Sequence, residues 1–214
     1  MSAQHDPEGI TVYGHGRVET EPDQAELQLA VSRIEAEPAD AFAAARAAVS
    51  AVRTTLQLSG LPENAIEVSR LRLNAVYDYP DGKNRLTGHE AAADVTVAIA
   101  DIEATDAIVT TAIDAGANAV QSLVFDTTGR AALAEAARRA AVADALGKAT
   151  VYADAAGVQV GAVIGIEEAG AGGPVPMAGR ALMAESADRA FVAGGITIEA
   201  SVRLRLAIGL VQSD

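Results

Sequence analysis

The chain contains no cysteine, and this absence removes several kinds of chemistry at once. Disulfide bonds, thiolate metal sites and cysteine nucleophiles are all excluded. Tryptophan is also absent and aromatic residues make up only 3% of the chain, so alanine, valine, leucine and isoleucine must fill the core. Since 50% of the 214 residues are apolar, the chain can bury a sizeable core as one domain, or as two small halves fused around one sheet.

Basic residues are scarce. The chain has 16 lysines and arginines against 29 acidic residues, which gives a formal net charge of −13. A nucleic-acid-binding surface needs a basic footprint, and attachment to anionic lipid needs clustered cations. The sequence therefore predicts no nucleic-acid partner and no electrostatic membrane attachment.

Long apolar runs are absent too, so the sequence predicts no membrane span. Residues 1–9 are polar and are predicted to form a flexible tail, as are residues 210–214. The first segment has no basic region followed by an apolar region, so it does not resemble a signal peptide. On this ground we expect a cytoplasmic protein; the alternative is a periplasmic or exported protein whose leader was removed.

Residues with catalytic or metal-binding chemistry are few and scattered. His15 lies between Gly14 and Gly16, without a second histidine at ligand spacing. Glu167 and Glu168 are adjacent in a predicted strand, so their side chains should point to opposite faces. The sequence therefore predicts no catalytic residue, no metal site and no cofactor, and an enzyme would need a site built from scattered carboxylates.

The most regular segment is a predicted helix over residues 130–156. Small residues recur there every four positions, which keeps one ridge of the helix small enough to lie close to a sheet. Asp126, Thr127 and Thr128 are candidate N-caps, and Gly157 is a natural helix end. The ridge consists of Ala137, Ala141, Ala145, Ala149 and Ala153.

Other segments show strand and helix periodicities. Residues 38–59 carry an apolar seam at helical spacing that includes Phe42, and residues 196–208 alternate strictly between apolar and polar. In the strand predicted over 66–77, the apolar positions change parity, which indicates a β-bulge near Ser69.

The order of elements suggests an internal duplication of architecture. Residues 23–100 and residues 119–208 both follow the order strand, long helix, strand, strand. We therefore predict an α+β fold over residues 10–209, a single domain with two βαββ-like halves at about 10–100 and 101–209. Long helices should pack on one face of an antiparallel sheet.

A long segment of residues 169–194, rich in glycine, alanine and proline, interrupts this pattern. Loops of this length in a compact domain are uncommon and are typical of functional, disordered or assembly segments. Its larger apolar residues are predicted to contact a second copy of the chain. These residues are Met177, Leu182, Met183 and Phe191.

Three segments carry a family resemblance that spans residues 9–208. Gly14-His15-Gly16-Arg17-Val18, followed by Pro22-Asp23-Gln24-Ala25, resembles the opening motif of the SIMPL-domain (DUF541) family. The helix and glycine-punctuated turn over 141–161 and the strand over 195–202 resemble its other signature segments. Some members of that family form large ring or barrel homo-oligomers, and the resemblance implies no established active site.

The resemblance implies a non-enzymatic protein that self-assembles into a ring-, cage- or channel-like homo-oligomer, with a scaffold or stress-related role. The alternative is a monomeric or dimeric binding module for a partner protein or a small ligand.

Overall fold

The structure is a computed structural model, and it describes residues 9–79, 84–169, 176–177, 179–180, 182–183, 191–192 and 194–210. The chain divides into two compact units. Unit 1 takes its residues from Met1–Thr20, Thr128–Ala178 and Gly195–Asp214, and unit 2 from Glu21–Thr127 and Gly179–Gly194.

Three α-helices and antiparallel sheets make up the described residues, which confirms the predicted α+β class. In chain order, the elements are β1 (Gly9–Thr20), β2 (Gln24–Glu35), α1 (Pro38–Leu58), β3 (Ile66–Asp78), β4 (Arg85–Ile99), α2 (Thr105–Asp114), β5 (Ala119–Asp126), α3 (Arg130–Ala156), β6 (Val158–Glu168), β7 (Pro176–Met177), β8 (Gly179–Arg180), β9 (Leu182–Met183), β10 (Phe191–Val192) and β11 (Ile196–Leu210).

Unit 2 is a five-stranded sheet in the order β3-β4-β2-β5-β8, with α1 and α2 packed on one face. Its central strands alternate as half-buried strands do, so that Leu27, Leu29 and Val97 enter the core. On α1 the buried stripe includes Ala45, Val52 and Leu56. Phe42, predicted within the apolar seam, is instead 39% exposed, because Ala41 one position earlier takes the place toward the sheet.

Unit 1 is a sheet in the order β1-β11-β6, with β7 also paired to β11, and α3 covers one face. The closing strand has the predicted parity: Val202, Leu204 and Leu206 are buried, whereas Arg203 and Arg205 are half-buried on the other face. Each apolar side chain buried under α3 stabilises the folded state by about 25 cal/mol for every Å² of apolar surface that it removes from water.

The alanine ridge of α3 is completely covered, since all five of its alanines are at most 1% exposed. The helix ends at Gly157, whose φ of +67° satisfies the predicted left-handed stop. The helix begins at Arg130 as predicted, but its N-cap is Gly129, which makes no side-chain capping bond, and not one of the three predicted residues. The chain turns once more through residues 128–129 before the helix begins.

Each unit contains a βαββ motif, and the two motifs have the same strand order. In unit 2 the motif is β2-α1-β3-β4, and its strands lie in the order β3-β4-β2. In unit 1 it is β1-α3-β6-β11, and its strands lie in the order β6-β11-β1. Both sheets therefore place the third strand of the motif between the second and the first.

Strand pairing divides the chain differently from the expected halves at 10–100 and 101–209. β5 pairs with β2 in unit 2, and β1 opens the motif of unit 1 by pairing with β11. Element order alone does not decide this pairing, because β1 and β5 both precede α3. The close packing of Gly14 and Gly16 of β1 against α3 decides it.

Candidate functional site

The motif Gly14-His15-Gly16 sits where β1 passes beneath α3. A Cβ atom added to Gly14 would lie 1.9 Å from the carbonyl oxygen of Ala141, and one added to Gly16 would lie 1.9 Å from that of Ala137. Any side chain at these positions would push the helix off the strand. The two glycines and the alanine ridge therefore form one close backbone contact.

An ion pair on α3 binds the outer edge of β1 at the same place. The His15 backbone N–H donates to Oδ2 of Asp144 at 2.8 Å, and Nζ of Lys148 donates to the Tyr13 carbonyl at 3.0 Å. Asp144 and Lys148 are 2.6 Å apart. The hydrogen bonds from Lys148 and from the His15 backbone lower the pKa of Asp144. We call this pair the β1 clamp; it satisfies edge groups that would otherwise pair with another strand.

The His15 side chain lies on the opposite, open face of the unit 1 sheet. Its Nδ1 is 3.0 Å from Oγ of Ser201, the residue across from it on β11. A serine and a histidine alone lack the orienting group and oxyanion donors of a nucleophilic site. Among the described residues, no group of three or more His, Asp or Glu side chains is arranged to hold a metal ion.

Glu167 and Glu168 point to opposite faces of β6, as predicted. Glu167 accepts from Arg203 at 3.1 Å on the open face, and Glu168 accepts from Arg138 of α3 at 3.1 Å. Each carboxylate thus has its own arginine, and the two do not form a joint acid–base pair.

An apolar surface remains uncovered along β6. Arg138 faces this strand, so Val142 and Leu146, one and two turns further along α3, lie on the same side. The strand is at the end of its sheet, and within the described ranges no strand pairs with its outer edge. Its residues 158–166 carry no charge, and Ile166 is 64% exposed. We call this surface the β6 flank; it comprises Leu146, Val163, Ile166 and Ile208, all substantially exposed.

The four predicted contact residues of the 169–194 segment fall in β7, β9 and β10. Their backbones pair with β11 or with each other. Their side chains lie outside the described part of the structure, so their role in assembly remains a prediction.

Unit 2 presents an open sheet face with two β-bulges that converge on one carboxylate. The register shifts between Ser69 and Arg72, as the sequence predicted, and Arg70 within this bulge has a left-handed φ of +46°. A second shift in β5 leaves Gln121 as an extra residue. Both Arg72 and Gln121 donate to Oδ1 of Asp94, each at 3.0 Å. Bulges commonly re-aim a side chain in this way.

Arg72 forms one wall of a cleft of about 380 Å³. Ser32 and Asn118 form a second wall and are bonded to each other, with Oδ1 of Asn118 accepting from the Ser32 backbone N–H at 2.8 Å. Asn74 and Glu90 lie at one end. The floor is made of Ala30, Ala92 and Ala119. We call this the open-face cleft; apart from the bulge in β3, nothing in the sequence pattern indicated it.

Another cleft in unit 2, of about 470 Å³, lies between the end of α1 and α2. It is lined mainly by apolar residues, including Leu61, Ile99 and Ile108. Two of its polar residues are bonded to nearby backbone, since Ser59 donates to the Leu56 carbonyl and Asp101 accepts from the Glu103 N–H. Both side chains therefore stabilise the backbone turns in which they lie.

Comparison with known proteins identifies a family with which this chain aligns over most of its length. The profile of SIMPL, described as a protein of unknown function (DUF541), matches residues 10–206. The chain belongs to the SIMPL family. The resemblance seen in the sequence is thereby confirmed, and the GxG motif of this SIMPL protein has the packing role described above.

Relatives have names that describe location and immunogenicity but no reaction. The chain is 30% identical over 167 residues to the 26 kDa periplasmic immunogenic protein of Brucella melitensis, covering 76% of this chain and 67% of that protein. The protein of the same name from Brucella abortus gives the same values. Uncharacterized protein YggE of Escherichia coli is 29% identical over 158 residues, covering 72% of this chain and 64% of YggE. No described helix of this chain combines the length and apolarity needed to cross a membrane.

Proposed function

We propose that this SIMPL protein is non-enzymatic and self-assembles into a ring-, cage- or channel-like homo-oligomer, with a scaffold or stress-related role. The observation that carries this proposal is the β6 flank. Exposed apolar residues that cluster on one side of a domain are typical of contact surfaces. In a chain with a net charge of −13, an uncharged strand is the surface on which two copies approach with least repulsion.

The β6 flank is better suited to burying its side chains against a second copy than to pairing with a strand of that copy. The pairing of β6 with β11 shifts register twice, once next to Leu206 and again before Ile208. Bulged edges twist away from regular strand pairing, and proteins use them to prevent it. We therefore expect Val163 and Ile166 to enter a neighbouring subunit as apolar contacts, with the 169–194 segment as a second contact.

Substitution of Ile166 by glutamate tests this arrangement. The variant should shift the mass measured by light scattering toward the monomer, because each interface would bury an unpaired carboxylate. Leu58→Glu is the matched control: it adds the same charge at an exposed apolar position of unit 2. The proposal fails if wild-type protein is monomeric at high concentration. The role proposed for the β6 flank fails if both variants keep the wild-type mass.

A binding module, monomeric or dimeric, is the second candidate. It is favoured by the open-face cleft, whose walls are held by internal hydrogen bonds before any ligand arrives. A monomer in light scattering that still binds a ligand or partner protein would select this function over assembly.

For location we propose the periplasm or export, since the Brucella relatives are named as periplasmic proteins. The cytoplasmic expectation has no support among these relatives. Osmotic shock of cells that produce the protein tests the proposed location. Release of the protein is the expected result, and retention with cytoplasmic markers would refute the proposal.

A further inference from the structure

The open-face cleft holds a cation and an anion that do not pair with each other. Arg72 is directed toward Asp94 on one side. Glu90 lies across from Asn74, two residues beyond Arg72 on β3, and so is a diagonal neighbour of Arg72. Within the described ranges, the half-buried Glu90 carboxylate has no hydrogen-bond or ion-pair partner. The cleft therefore offers an acceptor at Glu90 and further guanidinium N–H donors at Arg72.

Arg72 is held in place before a ligand binds. Asp94, whose side chain is 17% exposed, accepts from Arg72 and from Gln121, which reaches it from β5. Ala30 lies between Asp94 and Ala119 in the register of the sheet, and its small side chain leaves room for this crossing. A restrained arginine loses less conformational entropy on binding than a free one.

The size and floor of the cleft restrict the ligand. Its volume of about 380 Å³ falls within the range of about 300–1,000 Å³ found for small-molecule sites. The methyl groups of Ala30 and Ala92 provide an apolar floor beside the two charged residues of the cleft, Arg72 and Glu90. A suitable ligand has an anion and a cation a few ångströms apart, joined by a short aliphatic part.

We propose that this cleft binds a small zwitterion of the α-amino acid class. The ligand carboxylate accepts hydrogen bonds from the fork of Arg72, and its ammonium group donates to Glu90. A simple anion would leave Glu90 unpaired and meet the negative field of the protein. A simple cation would leave the Arg72 donors unused. Because every residue involved belongs to unit 2, the proposal does not depend on self-assembly.

Saturation-transfer NMR tests the ligand class, and it suits a protein of any assembled size. L-alanine, ethylamine and propionate form a matched set, since the last two each lack one charged group of the first. We expect wild-type protein to bind L-alanine about tenfold tighter than either fragment, because each charge-assisted contact contributes independently. Equal affinity for L-alanine and either fragment, or no signal from L-alanine, overturns the proposal.

Glu90→Gln tests the position of the ammonium group. The variant should lose about tenfold in affinity for L-alanine without losing affinity for propionate, since the substitution removes a negative charge. Glu67→Gln is the control, because Glu67 lies on the same open face, across from Thr96 and outside the cleft. Circular dichroism melting confirms that both variants are folded. Unchanged L-alanine binding by the Glu90→Gln protein, or an equal loss in both variants, contradicts the proposed site.

Discussion

Two glycines of this chain should respond in opposite ways to substitution by alanine. Gly14 faces the Ala141 carbonyl at a distance that admits no Cβ, so Gly14→Ala should destabilise the protein by roughly 1–3 kcal/mol. Gly147 lies within α3, where an added Cβ would meet nothing within 4 Å beyond the local backbone of the helix. Gly147→Ala should stabilise by about 0.5–1 kcal/mol, since alanine is the better helix former.

Urea unfolding of both variants measures these differences directly. A neutral Gly14→Ala variant would mean that the helix can lift from β1 without loss, and the close-contact account would be wrong. Gly147→Ala serves as the control for the substitution itself.

The β1 clamp gives a residue-scale prediction about pH. The pKa of Asp144 is lowered in the folded protein, so its contribution to stability is present above the unfolded pKa of about 3.9. That contribution is lost as the pH falls through the lower folded pKa. The stability difference between wild-type protein and Asp144→Asn should therefore be constant near neutral pH and shrink below about pH 4.

A second background separates the ion pair from other effects of acid. Lys148→Met removes the largest cause of the lowered pKa, so the pH dependence of Asp144→Asn should be smaller on that background. Denaturant midpoints at a series of pH values provide the measurement. The same pH dependence on both backgrounds would exclude Lys148 as the cause.

At the scale of elements, periodicity predicted most of the structure. The parity of β11, the bulge near Ser69 and the ridge of α3 followed from the spacing of apolar residues, and the end of α3 followed from Gly157. Such spacing works because burial on one face of an element is a local pattern. The first residue of α3 was predicted correctly but its N-cap was not, since residues able to cap a helix do so only if the turn before the helix places them next to it.

Pairing between elements was less predictable. That β1 belongs to unit 1 depends on Gly14 and Gly16 fitting the alanine ridge more than 120 residues later, a match that no local pattern reveals. The open-face cleft was missed for a related reason. Arg72, Asp94 and Gln121 lie on three different strands, and only the two register shifts bring them together.

At the scale of the whole molecule, charge and apolar surface oppose each other. With a net charge of −13, identical copies repel one another, and added salt screens this repulsion. We therefore expect the assembled fraction to increase between low salt and about 0.5 M sodium chloride, where the screening length is a few ångströms. Light scattering across a salt series measures this, with the Ile166→Glu variant as the control. A mass that decreases with salt would mean that ion pairs hold the assembly.

The segments of unit 2 lie between segments of unit 1 in the sequence, and this order affects how the chain folds during synthesis. The βαββ motif of unit 2 is complete once residue 99 has left the ribosome, and β5 follows within 27 residues. Unit 1 needs β1, which pairs along its whole length with β11, the strand furthest from it in the sequence of the unit. Domains generally fold as units during synthesis, so β1 must wait, without its partner strand, until residues 196–207 have been translated. A chain that stops before residue 196 therefore leaves β1 without its partner strand β11 and exposed to chaperones and proteases.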